Sequence, residues 1–298
     1  MSVQSNGGKT SYVVLDQGAL RHEMLQTRIA SDPEAVFVVP DVAFSEMAIK
    51  RDALYTLRRS LSCLQAAVDR TYVSVSIKEI VEYEKDNGGN VIGLDQLLSG
   101  PGTRIGRALI IGESSPDYET IVQRFAEIEQ DHKALFDPQR DLDEMQRHVG
   151  MFKKSFGAAR LKLLRTPGAY TEDIKLGMIV LIMQSMTRHQ HSFPGDVKKR
   201  TLLLRLLILI YWAEKDGLDY IKPEKILNDY IDMEFVIIAS YLDEIMSLDD
   251  KVNMLDRQVR RIMDMEDAER MMNLARETGF RTSDESADPE NVISNRRR

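Results

Sequence analysis

The chain has 298 residues, 43% of them hydrophobic, and a net charge of −7. It is long enough for one large domain or two ordinary ones and apolar enough for a sizeable core, but too acidic for a general nucleic-acid coat. Cys63 is the single cysteine, which excludes an intrachain disulfide framework and a cysteine-rich zinc site and points to a reducing, cytoplasmic setting. The first ten residues hold no apolar signal core. The longest apolar run, Leu202 to Trp212, is interrupted by Arg205 and falls well short of the ~20 residues a membrane span needs, so no membrane role is expected.

In chain order, residues 1–10 are polar and expected to be loose. Gly8-Lys9-Thr10 resembles the end of a phosphate loop, but the required earlier glycine is missing and a strand follows instead of preceding. Ser11 to Leu15 (S-Y-V-V-L) reads as a buried strand ended by Asp16-Gln17-Gly18, and Ala35 to Val39 as a second. A helix-like stretch, 19–30, lies between them. A long helix is predicted from Val42 to Arg70, with Glu46 near its start. Tyr72 to Ser76 alternates like a strand and leads into a helix from Ile77 to Lys85.

From 91 to 222 the pattern is helical. A short helix is expected around Leu94 to Leu98, broken by Ser99-Gly100-Pro101-Gly102. Further helices are expected from Asp117 to Leu135, Asp141 to Leu164, Glu172 to Met186 behind a Thr171 cap, and Asp196 to Lys215. Pro223 restarts a helix that runs through N-D-Y-I-D (Asn228 to Asp232) into the apolar stretch Phe235 to Leu242. Glu244 to Leu248 reads as a short buried strand, followed by Asp249 and Asp250. Residues 253–279 are predicted as a C-terminal helix and 280–298 as a disordered tail.

Strands therefore cluster near the two ends of the chain and must meet in one sheet, because a lone strand is not stable. If they are parallel, Asp16, Glu46, Asp232 and Asp249 fall at one sheet edge, where open α/β sheets place their sites. Clustered carboxylates repel and stay ionised only around a cation. An all-oxygen donor set suits Mg²⁺ or Mn²⁺, and such a metal can activate water and stabilise the leaving oxygen of a phosphodiester.

The order of these motifs resembles the PIN-domain family of metal-dependent ribonucleases. Y-V-V-L-D supplies Asp16, F-V-V-P-D-V-A-F-S-E-M supplies Glu46, N-D-Y-I-D supplies Asp229 and Asp232, and S-L-D-D-K supplies Ser247 and Asp249. The match covers 11–85 and 223–252; Gly18 stands where the family often has Asn or Ser. The resemblance implies a PIN-like three-layer α/β/α fold over 11–252, with a short central parallel sheet and a large helical insertion over 91–222. It implies an endoribonuclease with catalytic Asp16, Glu46, Asp232 and Asp249 and a metal site of Asp16, Glu46, Asp229, Asp232 and Asp249. RNA is the implied partner, with single-stranded DNA second. Dimerisation and an antitoxin-like protein partner occur among such proteins.

Each acid also has an ordinary reading, as a turn residue, a helix cap or a dipole-complementing charge. Arg147 to Arg165 is a basic stretch without acids, interleaved with Phe152 and Phe156. Lys153, Lys154, Arg160, Lys162 and Arg165, with Lys198, Lys199 and Arg200 further on, are candidates for binding RNA phosphates; a solvated helix face explains them equally well. The alternatives to an enzyme are an inactive PIN-like scaffold that binds a protein or nucleic acid, and a wholly helical interaction protein.

Overall fold

In the computed structural model, residues 10–48, 52–123, 138–187, 195–215, 217–218 and 222–282 are described. Residues 1–9, expected to be loose, fall outside them. The chain divides into two compact units. One holds residues up to Asp137 together with Tyr230–Asp256; the other holds Pro138–Asp229 and the residues from Arg257 on.

The first unit is built on a sheet. Strands β1 (Tyr12–Leu15), β2 (Val36–Val39), β3 (Thr71–Ser74) and β5 (Glu244–Met246) run parallel, and a two-residue strand β4 (Leu98–Ser99) pairs antiparallel with β3. The spatial order is β4-β3-β2-β1-β5. This is an α/β fold, so the wholly helical alternative is excluded. Val13, Val14 and Leu15 are all 0% exposed. Burial of successive residues means that both faces of β1 are covered, and this is why the strand reads as a continuous apolar run and not as an alternating one.

The helices of this unit are α1 (Glu23–Ser31), α2 (Asp41–Ala48), α3 (Ala53–Leu61), α4 (Ile77–Asp86), α5 (Leu94–Leu97) and α6 (Gly100–Ile111). The long helix predicted over 42–70 is instead broken. After α3 the chain tightens into a 3-10 segment, Ser62–Arg70, in which Ala67 leaves helical geometry at φ −126°. Its stripe of leucines survives the break: Leu57, Leu61 and Leu64 all sit in the core around β1 and β2. The Gly-Pro-Gly expected to end a helix starts one. Pro101 lies in the first turn of α6, where a missing N–H leaves no helical bond unmade. That helix packs on β3 and the 3-10 segment, so the helical section begins inside the sheet-bearing unit. The second unit starts at 138 and not at 91. Of the helix predicted over Asp117 to Leu135, Asp117 lies in a turn, residues 118–123 are helical, and 124–135 fall outside the described residues.

The second unit contains α7 (Pro138–Phe156), α8 (Ala158–Leu164), α9 (Glu172–Met186) and α10 (Val197–Lys215). It also holds the beginning of α11 (Pro223–Ala239), the end of α12 (Asp250–Met263), and α13 (Met265–Glu277). Gly157, at φ +74°, separates α7 from α8 where one helix was predicted. The single helix predicted over 253–279 is two, because the Asp264 carboxylate accepts from the N–H groups of Glu266 and Asp267 and caps a new start. The Thr171 cap of α9 is present, its hydroxyl accepting from Ile174 N–H.

The expected tail is partly docked. Phe280 is fully buried, its ring 5.5 Å from that of Phe156 and 5.0 Å beneath the Arg160 guanidinium. A single phenylalanine in a polar stretch carries no periodic signal, so composition could not reveal this anchor. Phe280→Ala is expected to destabilise the second unit by about 3–5 kcal/mol, measured by urea unfolding.

Asp173 accepts from Arg261 at 2.8 Å and Arg270 at 2.7 Å, and both guanidiniums also bond Asp267. Hydrogen bonds from Arg270 first, then Arg261, hold both carboxyls below the ordinary range. The folded pKa is the lower one, so the stabilisation is complete above the unfolded carboxylate value near ~3.9 and is lost as pH falls through the folded value. Asp173→Asn should flatten the acid side of the stability curve, seen as a smaller drop in urea midpoint below about pH 4.

Candidate active site

The chain steps outward from β1 to β2 to β3, then returns much later to add β5 on the other side of β1. The order therefore reverses between β1 and β5, and the crevice beyond the carboxyl ends of those two strands is where open α/β sheets bind ligands. Register fixes what lies there. Leu15 pairs with Met246, so Asp16 and Ser247 leave the sheet side by side.

Asp16 is 8% exposed. Its Oδ1 accepts from Ala19 N–H at 2.6 Å, holding the turn after β1, and its Oδ2 accepts from the Ser247 hydroxyl. Ser247 Oγ in turn accepts from Asp249 N–H at 3.0 Å. One serine thus ties together the two acids that follow neighbouring strands. Asn253 Nδ2 donates to the Ser247 carbonyl at 3.0 Å and steadies the loop. Asp249 is exposed. Its Oδ1 accepts from Lys251 N–H at 2.6 Å and from Val252 N–H at 3.3 Å, capping the first turn of α12. Asp16 and Asp249 therefore combine the ordinary turn and cap roles with a shared position at the crevice.

Asp232, on α11, meets Lys251: Nζ lies 2.5 Å from Oδ2, with the two side chains 15% and 23% exposed. The contacts form a continuous series, Asp16 to Ser247 to Asp249 to Lys251 to Asp232. Lys251 was not among the expected site residues. Its signal was its place directly after the acids in S-L-D-D-K, where a lysine reads as an ordinary solvated charge.

The other predicted ligands fare differently. Glu46 is half-buried on α2, which follows β2 and so begins at the same edge as Asp16. Asp229 is 2% exposed and accepts from Trp212 Nε1 at 2.6 Å within the second unit. The metal-ligand role expected of Asp229 is thereby replaced by a structural one, satisfying a buried indole N–H. Among the described residues no three or more acid, histidine or cysteine side chains come close enough to hold a metal ion as the side chains stand. Carboxylate oxygens are donors of the type that magnesium and manganese take, but no three of these side chains converge as they stand. Gly18 lies against the site: a Cβ there would stand 3.3 Å from Asp16 Oδ1.

Comparison with protein-family models, curated proteins and solved structures finds no match to this chain.

The predicted basic surface is smaller than the sequence suggests. Phe152 and Phe156 are buried and stacked on each other at 4.4 Å, so they are core and not base-stacking platforms. Arg200 is 3% exposed and donates through Nε to the Gly195 carbonyl. Arg160 donates to the Gly279 carbonyl and Arg165 to that of Ala213. Lys153 and Lys199 are half-buried, whereas Lys154, Lys162 and Lys198 are exposed. A groove of about 880 Å³ in the first unit is lined by Tyr55, Arg58, Arg59 and Ile111 among others, and none of Asp16, Glu46, Asp232 and Asp249 lines it. No helix among the described residues is long and apolar enough to cross a membrane.

Proposed function

We propose that the sheet-bearing unit is a PIN-like, divalent-metal-dependent nuclease, acting as an endoribonuclease, in which Asp16, Glu46, Asp232 and Asp249 carry the activity. The observation that supports this reading most is the meeting of Asp16 and Asp249 through Ser247 at the point where strand order reverses. On this reading Asp16, Glu46, Asp232 and Asp249 are the residues that would hold Mg²⁺ or Mn²⁺, and the metal would supply an activated water and neutralise charge at the phosphodiester. The chain's own contribution is preorganisation. Ser247 and the Ala19 N–H fix both oxygens of Asp16, and the cap at α12 fixes Asp249, so neither carboxylate must be ordered when substrate arrives. Lys154, Lys162, Arg165 and Lys198 are the predicted cations that are exposed and available to RNA phosphates.

The Lys251–Asp232 ion pair supports a second reading, an inactive PIN-like scaffold whose acids are already neutralised by the protein. Incubation of the full chain with single-stranded RNA in Mn²⁺ decides between them. The nuclease reading expects cleavage by the wild type that is lost in Asp16→Asn and Asp232→Asn. Equal cleavage by wild type and both variants would overturn the assignment.

A further inference from the structure

We propose that the groove between α3 and the carboxyl end of α6 binds single-stranded RNA, with Arg58 and Arg59 on its phosphates and the Tyr55 ring stacked on a base. The inference rests on the reading above only for RNA as the ligand; it needs neither the acids nor cleavage.

The surface follows from the sequence of α3. Leu57 and Leu61 belong to the core. Tyr55, Arg58, Arg59 and Ser62 stand at i, i+3, i+4 and i+7, the spacing of one helix face. That stripe lines the groove of about 880 Å³, with Ile111 and Gly112 on the α6 side. Tyr55 is 65% exposed, and Arg59 is exposed too. Arg58 is half-buried and held in place. Its guanidinium carbon lies 5.0 Å from the centre of the Tyr118 ring, and a Cβ at Gly112 would stand 3.5 Å from its Nη2. Asp52 is the one acid among the lining residues. Among the described residues, neither Arg58 nor Arg59 pairs with a carboxylate.

These features select the ligand. Unpaired guanidiniums on a chain of net charge −7 make a local positive site for anions, and their planar forks match phosphate oxygens. A lone anion has no use for an exposed aromatic ring one helical turn away, whereas a base stacks on tyrosine and on arginine planes. Alternating anions and flat rings describe a nucleic-acid strand, and its ring faces are open to stacking only when the strand is unpaired. An acidic peptide offers the charges without the rings.

The test is fluorescence anisotropy of labelled oligouridine with the full chain in EDTA, so that binding is read without metal or cleavage. Tyr55 and Arg59 are exposed, so their substitution should leave the fold intact, which circular dichroism confirms. Tyr55→Ala should weaken binding roughly tenfold, the scale of losing one stacked base. Tyr55→Phe keeps the ring and should bind like wild type. Arg59→Gln should weaken binding severalfold and lower the slope of log affinity against log salt by about 0.7, the value for one phosphate contact on a single strand. Lys85→Ala, at an exposed cation of α4 outside the groove, should bind like wild type. Equal affinity of wild type, Tyr55→Ala and Arg59→Gln overturns the proposal, whether or not RNA is cleaved in Mn²⁺. A loss in Arg59→Gln with none in Tyr55→Ala overturns the base contact. Oligoglutamate that competes as well as unlabelled oligouridine overturns RNA as the ligand. Binding that weakens as expected supports the groove even if Asp16→Asn and Asp232→Asn show the nuclease reading to be wrong.

Discussion

Asp16→Asn is expected to reduce Mn²⁺-dependent RNA cleavage by at least about 100-fold, the scale of losing one preorganised charge-stabilising group. The substitution isolates charge from folding. Asn keeps an acceptor for Ala19 N–H, the bond that holds the turn after β1. Its amide then meets Ser247, whose hydroxyl can both donate and accept. The fold should survive while the charge at the switch point is lost. Asp232→Asn should show a comparable loss of cleavage. Asp229→Asn makes a useful contrast. Its carboxylate serves Trp212 in the other unit, so that change should lower stability and leave the cleavage rate per folded molecule unchanged. Cleavage assays paired with thermal melts of the three variants separate these outcomes.

Gly177→Ala is expected to destabilise the second unit by about 2–4 kcal/mol and to lower its melting temperature by about 10 °C. A Cβ at 177 would lie 1.9 Å from the Met271 carbonyl oxygen and 2.4 Å from its carbon. Both are backbone atoms of α13, so no rotamer change relieves the clash; the two helices must move apart. Residues 176–183 of α9 are all buried, and separation would open gaps along a tightly packed contact. Alanine is the better helix former by about 1 kcal/mol. That gain is smaller than the cost of parting the helices, so the sign should be destabilising. A melting curve equal to or above wild type would mean that α9 and α13 are not packed this closely.

Parts of this architecture were plain in local sequence. The runs that form β1 and β2, the Thr171 cap, the buried helix α10 and the short strand β5 with its trailing acids all follow from patterns within a few residues, although β5 is half-buried where a buried strand was expected. The breaks were harder to read. Gly157 and Asp264 divide predicted helices at positions where apolar spacing continues on both sides. Gly-Pro-Gly was read as a stop because glycine and proline punctuate helices, yet Pro101 is in the one place a helix accepts it. The boundary at 138 was invisible because α6 belongs to the sheet through packing against β3, and no composition shift marks it.

The sequence by itself determined which acids follow strands and open helices, because strand ends and caps are local chemistry. Tertiary structure decided what those acids do. Asp229 and Asp232 stand three residues apart on one helix, yet one serves a buried tryptophan and the other a lysine 19 positions further along the chain. Asp16 and Ser247 meet across 231 residues because β5 pairs with β1 in a particular register. Such partners are selected by strand pairing and helix packing, whose energies belong to the whole core, and no window of local sequence contains them.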